Sequence, residues 1–554
     1  MLRIITTLLI ALALCGTMSA QKNRNYDAAR NLSLFTAIYK NLDMMYVDTL
    51  DASQVIGTGI RAMLKSLDPY TEYYAPEEVK DLKTMITGKY AGIGALIRYN
   101  LKSGNSCIDE PYEGMPAQEV GLIKGDEILA IDDSSMVGKA TDYVSSRLRG
   151  DPGTTFKLKI FRPSTGKKMT VKITRRAIQM PSVPYYGMIG DGVGYISLSQ
   201  FTEDCSKDVR RAFIDLRGQG MKRLIFDLRG NGGGSLQEAV RIVNMFVPKG
   251  VTIVTTKGKI RRANSEYVTT QEPIDTVMPL VVLVNNNTAS ASEITAGALQ
   301  DLDRAVILGT RTYGKGLVQL PMDLPHKASM KLTTAKYYIP SGRCIQAINY
   351  SHSGTMKASY IPDSLTHVFH TKGGREVRDG GGIKPDVTLE ADTMPNILAY
   401  LMSSGLDSTE VMNTWVLDYI AKHKEIAPVE EFEITDEEYA DFKQAVINAG
   451  FKYDRETEKY YDDLVKMAKF EGYYDDAVSE FEALKKKLNH NLSHELDRHS
   501  VDIKRALAID ILPAYYYQRG ALAWQLKYDK QLNSAKDLIL DSDRYSKVFD
   551  KEQF

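Results

Sequence analysis

The sequence predicts a multidomain α+β protein in four consecutive parts, and three observations carry that prediction. Near the N-terminus apolar residues recur every three or four positions. Short alternating runs follow, and then strand-length apolar runs alternate with helical stretches before a charged helical tail. A chain of 554 residues with 43% hydrophobic and 25% charged residues is ordinary globular protein, long enough for several domains. Lys plus Arg and Asp plus Glu both total 70, so the net charge of zero gives no reason to expect nucleic acid or an anionic membrane as partner.

The first twenty residues, MLRIITTLLIALALCGTMSA, set Arg3 before an apolar run and end on the small Ser19 and Ala20. This is the order of a secretory signal peptide over 1–20, and it predicts export, cleavage after Ala20 and a soluble mature protein. The apolar run falls short of the roughly 20 residues a spanning helix needs. Lipid attachment at Cys15 is the rival reading, weakened by the bulk of Leu14. The other cysteines, Cys107, Cys205 and Cys344, are too few for a disulfide framework, and idle or buried thiols are expected. With no CxxC pair and no HExxH among the eight histidines, neither a metal nor another cofactor is expected.

Residues 25–86 form the N-terminal helical region, a small cap, with Leu34, Ile38, Leu42, Val55, Ile60, Met63, Leu64 and Leu67 at helical spacing and a proline turn at SLDPYTEYY. Residues 87–177 change to alternating strands such as FKLKIFR and KKMTVKITRR, with one helical stretch around Tyr143 to Leu148. Within them EGMPAQEVGLIKGDEILAIDD resembles a PDZ domain, a module that adds an extended peptide to a sheet edge and holds its terminal carboxylate on backbone amides. Gly92, Ile93 and Gly94 of KYAGIGALI would be the peptide-binding loop. A glycine-rich hairpin that binds nothing is the plain alternative.

Over 185–392, the runs VGYISLSQF, RLIFDLRG, LVVLVNN and AVILGT alternate with helical patterns, as in an α/β domain whose function sits in loops at strand ends. The remainder, 395–554, is charged, helical and rich in tyrosine, an extension with a packing or docking role.

Two segments of the α/β part carry chemistry. RLIFDLRGNGGGSLQEAV reads as strand, glycine loop and helix, a place where backbone amides meet an anion. It lacks GK[ST] and the full GxGxxG, so a nucleotide is not the anion; the oxyanion of an acyl-transfer intermediate remains. NNNTASASEITAGAL follows PLVVLV, so Ser290 lies where a strand gives way to a helix, with the Ala291 amide next in line. Taken alone, Ser290 and Glu293 also read as a capping box that only satisfies helix-end amides. Lys315 and Gln319 follow in GTRTYGKGLVQLP, a loop entering a strand, where a spacing of four sets both on one face. A lysine can serve as the base of a serine nucleophile if it is neutral, at a cost of about 4–5 kcal/mol from its ordinary pKa, so the site must be dry or already cationic. Gly314 and Gly316 would permit the close packing that excludes water, against the plainer reading of a surface lysine in a turn.

The motifs DLRGNGGG, NNNTASASE, GTRTYGKGLVQ and GGGIKPDV, in this order and after the PDZ-like segment and LDPYTEYY, resemble those of carboxyl-terminal processing peptidases, or tail-specific proteases. The resemblance covers residues 25 to 390. It implies an α/β serine peptidase core of crotonase-like type in a bacterial periplasmic endopeptidase that captures protein C-termini. By position it makes Ser290 the nucleophile, Lys315 the general base and Gln319 the residue that orients the lysine. Ala291 and Gly233 would supply the oxyanion amides. Tyr70 departs from the histidine common after Asp-Pro. The substrates implied are proteins or peptides with exposed C-termini; an activating lipoprotein and a homo-oligomer stay open, and a non-catalytic PDZ scaffold is the rival function.

Overall fold

The computed structural model describes residues 25–347, 361–390, 393–403, 406–488 and 491–550. The expected signal peptide and Cys15 lie outside them. No helix among the described residues is long and apolar enough to cross a membrane.

The described chain divides into two compact units. The smaller contains residues up to Val79 and Gln319–Thr333. Helices over 25–45 and Ala52–Lys65 form its expected helical part, the second begun by Asp51, whose carboxylate accepts the Ser53 and Gln54 amides. The proline turn that follows leads into a short strand, Glu72–Tyr74, paired antiparallel with residues 329–331.

The larger unit holds three regions. In the first, strands Ala95–Asn100, Asn105–Pro111, Glu127–Ile131, Thr155–Arg162 and Lys167–Thr174 form a sheet in that order, with Ser134–Ser135 beside the third. Strict alternation in TFKLKIFR sends Phe156, Leu158 and Ile160 inward onto the helix Thr141–Leu148 and leaves the lysines outside.

The second region is a six-stranded sheet of β1 (Tyr185–Met188), β2 (Val193–Ser197), β3 (Arg223–Asp227), β4 (Leu280–Val284), β5 (Val306–Gly309) and β6 (Val387–Thr388), adjacent in that order. Only β1–β2 is antiparallel; the rest are parallel. Three crossover helices are α1 (Cys205–Gly218), α2 (Leu236–Val243) and α3 (Ala291–Asp301). The run LVVLV of β4 is apolar throughout because both faces are covered. Leu280, Val282 and Val284 pack in the core with α1, α2 and α3, whereas Val281 and Leu283 pack against Leu532, Ala535, Leu538 and Ile539 of α4 (Lys530–Leu540). The second face of the sheet is therefore closed by the end of the helical extension, not by residues 185–392 alone.

The remaining helices of the extension bury their own core around Trp415, Phe442, Leu507 and Trp524. They also grip the first region: Arg98 pairs with Glu410 at 2.6 Å, and Lys124 sits between Asp109 and Asp510 at 2.6 and 2.8 Å.

Candidate active site

Parallel pairing of β3, β4 and β5 explains how three distant segments meet. Asp227 of β3 is in register with Leu283 of β4, and Val284 with Gly309 of β5, so the loops after these strands emerge side by side at the carboxyl end of the sheet. Those loops are the glycine loop, the Ser290 turn and the Lys315 loop. The strand-loop-helix reading of both motifs agrees with this arrangement.

The first two loops are sewn together by Asn231, whose side chain is fully buried. Its backbone carbonyl accepts from the Ala289 amide at 3.0 Å and the Ser292 hydroxyl at 2.9 Å, and its side-chain amide donates to the Leu198 carbonyl at 2.8 Å. Gly233 has φ +99°, and a Cβ there would lie 2.7 Å from Ala289 O, 2.8 Å from Ser290 Cβ and 2.9 Å from Ala291 N. Only glycine allows the loop this close to the serine. The Gly233 amide, the expected oxyanion donor, donates to Asn231 Oδ1 at 2.9 Å within its own loop. Ala291 opens α3, where a backbone N–H has no acceptor within the helix.

Ser290 precedes α3 with φ 57° and ψ −116°, a strained backbone for a residue with a side chain. The strain is over-determined. Its amide donates to Glu293 Oε2 at 2.9 Å, and its carbonyl accepts from the Ile294 amide at 2.9 Å and the Tyr337 hydroxyl at 3.2 Å. The capping-box arrangement is present: the Glu293 carboxylate accepts the Ser290 amide, and the Ser290 side chain faces the Glu293 amide.

Glu293 does more than cap. Its fully buried carboxylate accepts four hydrogen bonds: Thr312 Oγ1 at 2.5 Å and the Gly314 amide at 2.7 Å on Oε1, the Lys315 and Ser290 amides at 2.9 Å on Oε2. Burial raises its pKa, opposed by these four donors. The Tyr337 hydroxyl bridges the same segments from the other side, donating to the Lys315 carbonyl at 2.7 Å. The two nominated residues are thereby brought together through their backbones.

The lysine loop is packed as its glycines suggest. A Cβ on Gly314 would lie 2.3 Å from that of Ala347, and one on Gly316 would lie 2.9 Å from the Gln346 amide nitrogen. Gly316 N–H donates to Gln346 Oε1 at 2.7 Å, and the Thr312 hydroxyl accepts from Ile383 of the GGGIKPDV segment at 2.7 Å. Lys315 and Ser290 are both half-buried. Gln319 belongs to the smaller unit, where its Nε2 donates to Thr333 Oγ1 at 3.2 Å and Thr333 in turn to Asp68 Oδ1 at 3.2 Å. Asp68 also holds the proline turn by accepting the Tyr70 and Thr71 amides at 2.8 Å.

Of the nominated peptide loop, Gly92 ends a strand paired with Arg176, leaving Ile93 and Gly94 as the loop proper. The Ile93 and Gly94 carbonyls accept from Ala117 and Tyr112 at 2.8 and 2.9 Å. Among the described residues no group of three His, Cys, Asp or Glu side chains is arranged to hold a metal.

A model described as "Peptidase family S41" matches residues 192–351, the span of all three loops. The "Carboxy-terminal-processing protease" of Bartonella bacilliformis is 34% identical over 334 residues, covering 60% of this chain and 76% of the relative. The chain belongs to this protease family. A second carboxyl-terminal-processing protease, from Synechocystis sp., is 38% identical over 312 residues, 56% of this chain and 70% of the relative. A photosystem II D1 C-terminal processing protease is 27% identical at a TM-score of 0.35, covering 65% of this chain and 88% of that one. A model for the "Probable PDZ-protease, C-terminal helical domain" matches residues 402–539. As a carboxyl-terminal-processing protease the chain is a serine-type peptidase that acts on protein substrates, and the scaffold reading is not favoured.

Asn231, Thr312, Tyr337 and the second role of Glu293 were beyond the sequence reading. The one available signal was the position of Glu293 three residues after the serine, which reads as a cap because its partners 19 to 22 residues on are not visible in a local pattern.

Proposed function

We propose that the chain is an exported endopeptidase in which Ser290 attacks the scissile carbonyl, Lys315 takes the serine proton and Gln319 orients the lysine. The observation that carries the reading is the Glu293 carboxylate, which fixes the Ser290 and Lys315 amides on one oxygen atom at 2.9 Å each. Two residues held to a common atom keep their separation through the reaction, which is the positional requirement of a nucleophile and its base. Protonated Lys315 then assists the leaving amine, and the Ala291 amide, with a donor of the 230–234 loop, receives the oxyanion. Gln319 Nε2 donates to Thr333 Oγ1 at 3.2 Å.

Region 87–177 acts as a PDZ module in this reading. Its strand Ala95–Asn100 stands at the end of the sheet order and faces the helix Thr141–Leu148, so a substrate C-terminus adds as a further strand with its carboxylate toward Ile93 and Gly94. Export to the periplasm rests on the N-terminal pattern alone.

The test uses purified wild type, Ser290→Ala and Lys315→Ala on an unfolded protein with a free C-terminus, the products read by mass spectrometry. Wild type should release defined fragments and both variants none. Equal cleavage by wild type and Ser290→Ala contradicts the reading.

A further inference from the structure

The helical extension reaches back across 300 residues to the first side chain of the glycine loop. Arg229 follows β3 by two positions, and its guanidinium lies between two carboxylates. Asp227 takes Nη2 at 2.6 Å and Nε at 3.1 Å. Asp529 takes the other edge as a fork, Nη1 to Oδ1 at 3.0 Å and Nη2 to Oδ2 at 2.5 Å, and Gln531 Oε1 accepts from Nη1 at 3.3 Å. A two-point ion pair of this kind fixes orientation as well as distance. All three charged side chains are largely shielded, with 16%, 6% and 15% of Arg229, Asp227 and Asp529 exposed.

Asp529 has a second duty in the same place. It is the N-cap of α4, its Oδ1 accepting the Leu532 amide at 2.8 Å, and α4 covers the sheet face under Val281 and Leu283. One carboxylate therefore starts the covering helix and holds the arginine that opens the catalytic loop.

The loop needs such a hold. Gly230, Gly232, Gly233 and Gly234 follow Arg229, and three of them have positive φ, at 72°, 99° and 142°. Glycine loses more conformational freedom on ordering than any other residue, so such a loop is placed by the fixed residues around its glycines, Asn231 within it and the residues at its two ends. The far end is pinned where Ser235 N–H donates to the Phe201 carbonyl at 2.8 Å, and Gly230 is tied to Asn285 Oδ1 at 3.0 Å. Arg229 supplies the near end.

We propose that Asp529 is a positioning residue for peptide-bond hydrolysis: through Arg229 the helical extension sets the glycine loop against Ser290 and so completes the catalytic centre. The inference rests on the reading that this loop serves the oxyanion of the Ser290 reaction. It assigns to residues 395–554 a role in turnover that a packing extension does not have.

Asp529→Asn is the informative variant, because asparagine keeps the helix cap and the size while removing the charge. Leu538→Ala is its control, weakening the packing of α4 without touching Arg229. The full chain is assayed for kcat per site titrated with a fluorophosphonate and for KM, with hydrogen exchange followed over 228–235. Asp529→Asn should lose about tenfold or more in kcat per titrated site, as small misplacements do, with KM within about twofold and faster exchange in the loop. Leu538→Ala should lower Tm and leave kcat per titrated site near wild type. Wild-type kcat per site in Asp529→Asn, or an equal loss in Leu538→Ala, overturns the proposal. If Ser290→Ala keeps full turnover, the serine mechanism fails instead, and exchange over 228–235 still decides whether Asp529 holds the loop.

Discussion

Glu293 accepts the Lys315 amide on its Oε2 at 2.9 Å, and the same atom accepts the amide of Ser290. A carboxylate that looks like a helix cap is the joint between the two loops that carry the proposed nucleophile and base.

Replacing it with glutamine keeps the volume but turns one acceptor oxygen into a donor facing N–H or O–H groups. Each buried group left unsatisfied costs about 1–3 kcal/mol. Glu293→Gln should lower kcat by at least about a hundredfold, since both loops shift. Steady-state kinetics at a temperature well below Tm checks this; wild-type kcat would separate the carboxylate from positioning.

The same group gives a pH dependence of stability. Burial raises the Glu293 pKa above that of the unfolded chain, so on acid-to-neutral titration the unfolded state releases its proton first. Its contribution is therefore fully present below the ordinary carboxyl range of about 4.3 and is lost as pH rises through the raised value. Glu293→Gln cannot titrate, so the Tm difference, wild type minus variant, should fall across that interval. Thermal scans from pH 4 upward measure it; a difference that rises with pH would reverse the assignment.

Gly233→Ala tests the closeness of the glycine loop. At φ +99° an alanine is strained, and its methyl would lie 2.8 Å from Ser290 Cβ. Left-handed backbone and overpacking each cost about 1–3 kcal/mol. The variant should show both a lower Tm and nearly complete loss of turnover, read by calorimetry and peptide cleavage, whereas full activity would mean that the loop stands off the serine.

Lys124 tests the seat of the helical extension on region 87–177. Its side chain is 8% exposed between Asp109 and Asp510, each about one-third exposed at 33% and 32%. Burial alone would lower its pKa, but the two carboxylates outweigh burial and raise it, so the stabilisation holds below the ordinary lysine range and is lost only in strong alkali. Lys124→Met leaves two facing carboxylates and should destabilise the fold by about 1–3 kcal/mol after discounting for their exposure. Denaturant unfolding at neutral pH measures it, and an unchanged midpoint would mean that solvent already screens the pair.

Much of the site was legible because its signals are local. PLVVLV before NNNTASASE marks a buried strand entering a helix, and β4 and α3 stand there with Ser290 at the join. Gly314 and Gly316 read as close-packing positions and are so used. What was not legible depends on contacts between distant segments. Hydrogen-bond patterns within a few residues cannot reveal that Thr312 reaches Glu293 or that Asp529 reaches Arg229. The acceptor that the Gly233 amide has in the structure, the side chain of Asn231 two residues earlier, has no local signature in a glycine-rich pattern. Covering of the sheet by α4 was hidden for a related reason: an amphipathic helix shows that it has an apolar face, not which sheet that face meets.

The dyad itself is tested most directly by mapping a fluorophosphonate adduct on intact protein. Wild type should take one adduct on Ser290, and Lys315→Ala, folded to the same extent, should label far more slowly at the same pH. An adduct on another residue, or labelling of Lys315→Ala at the wild-type rate, would contradict the account.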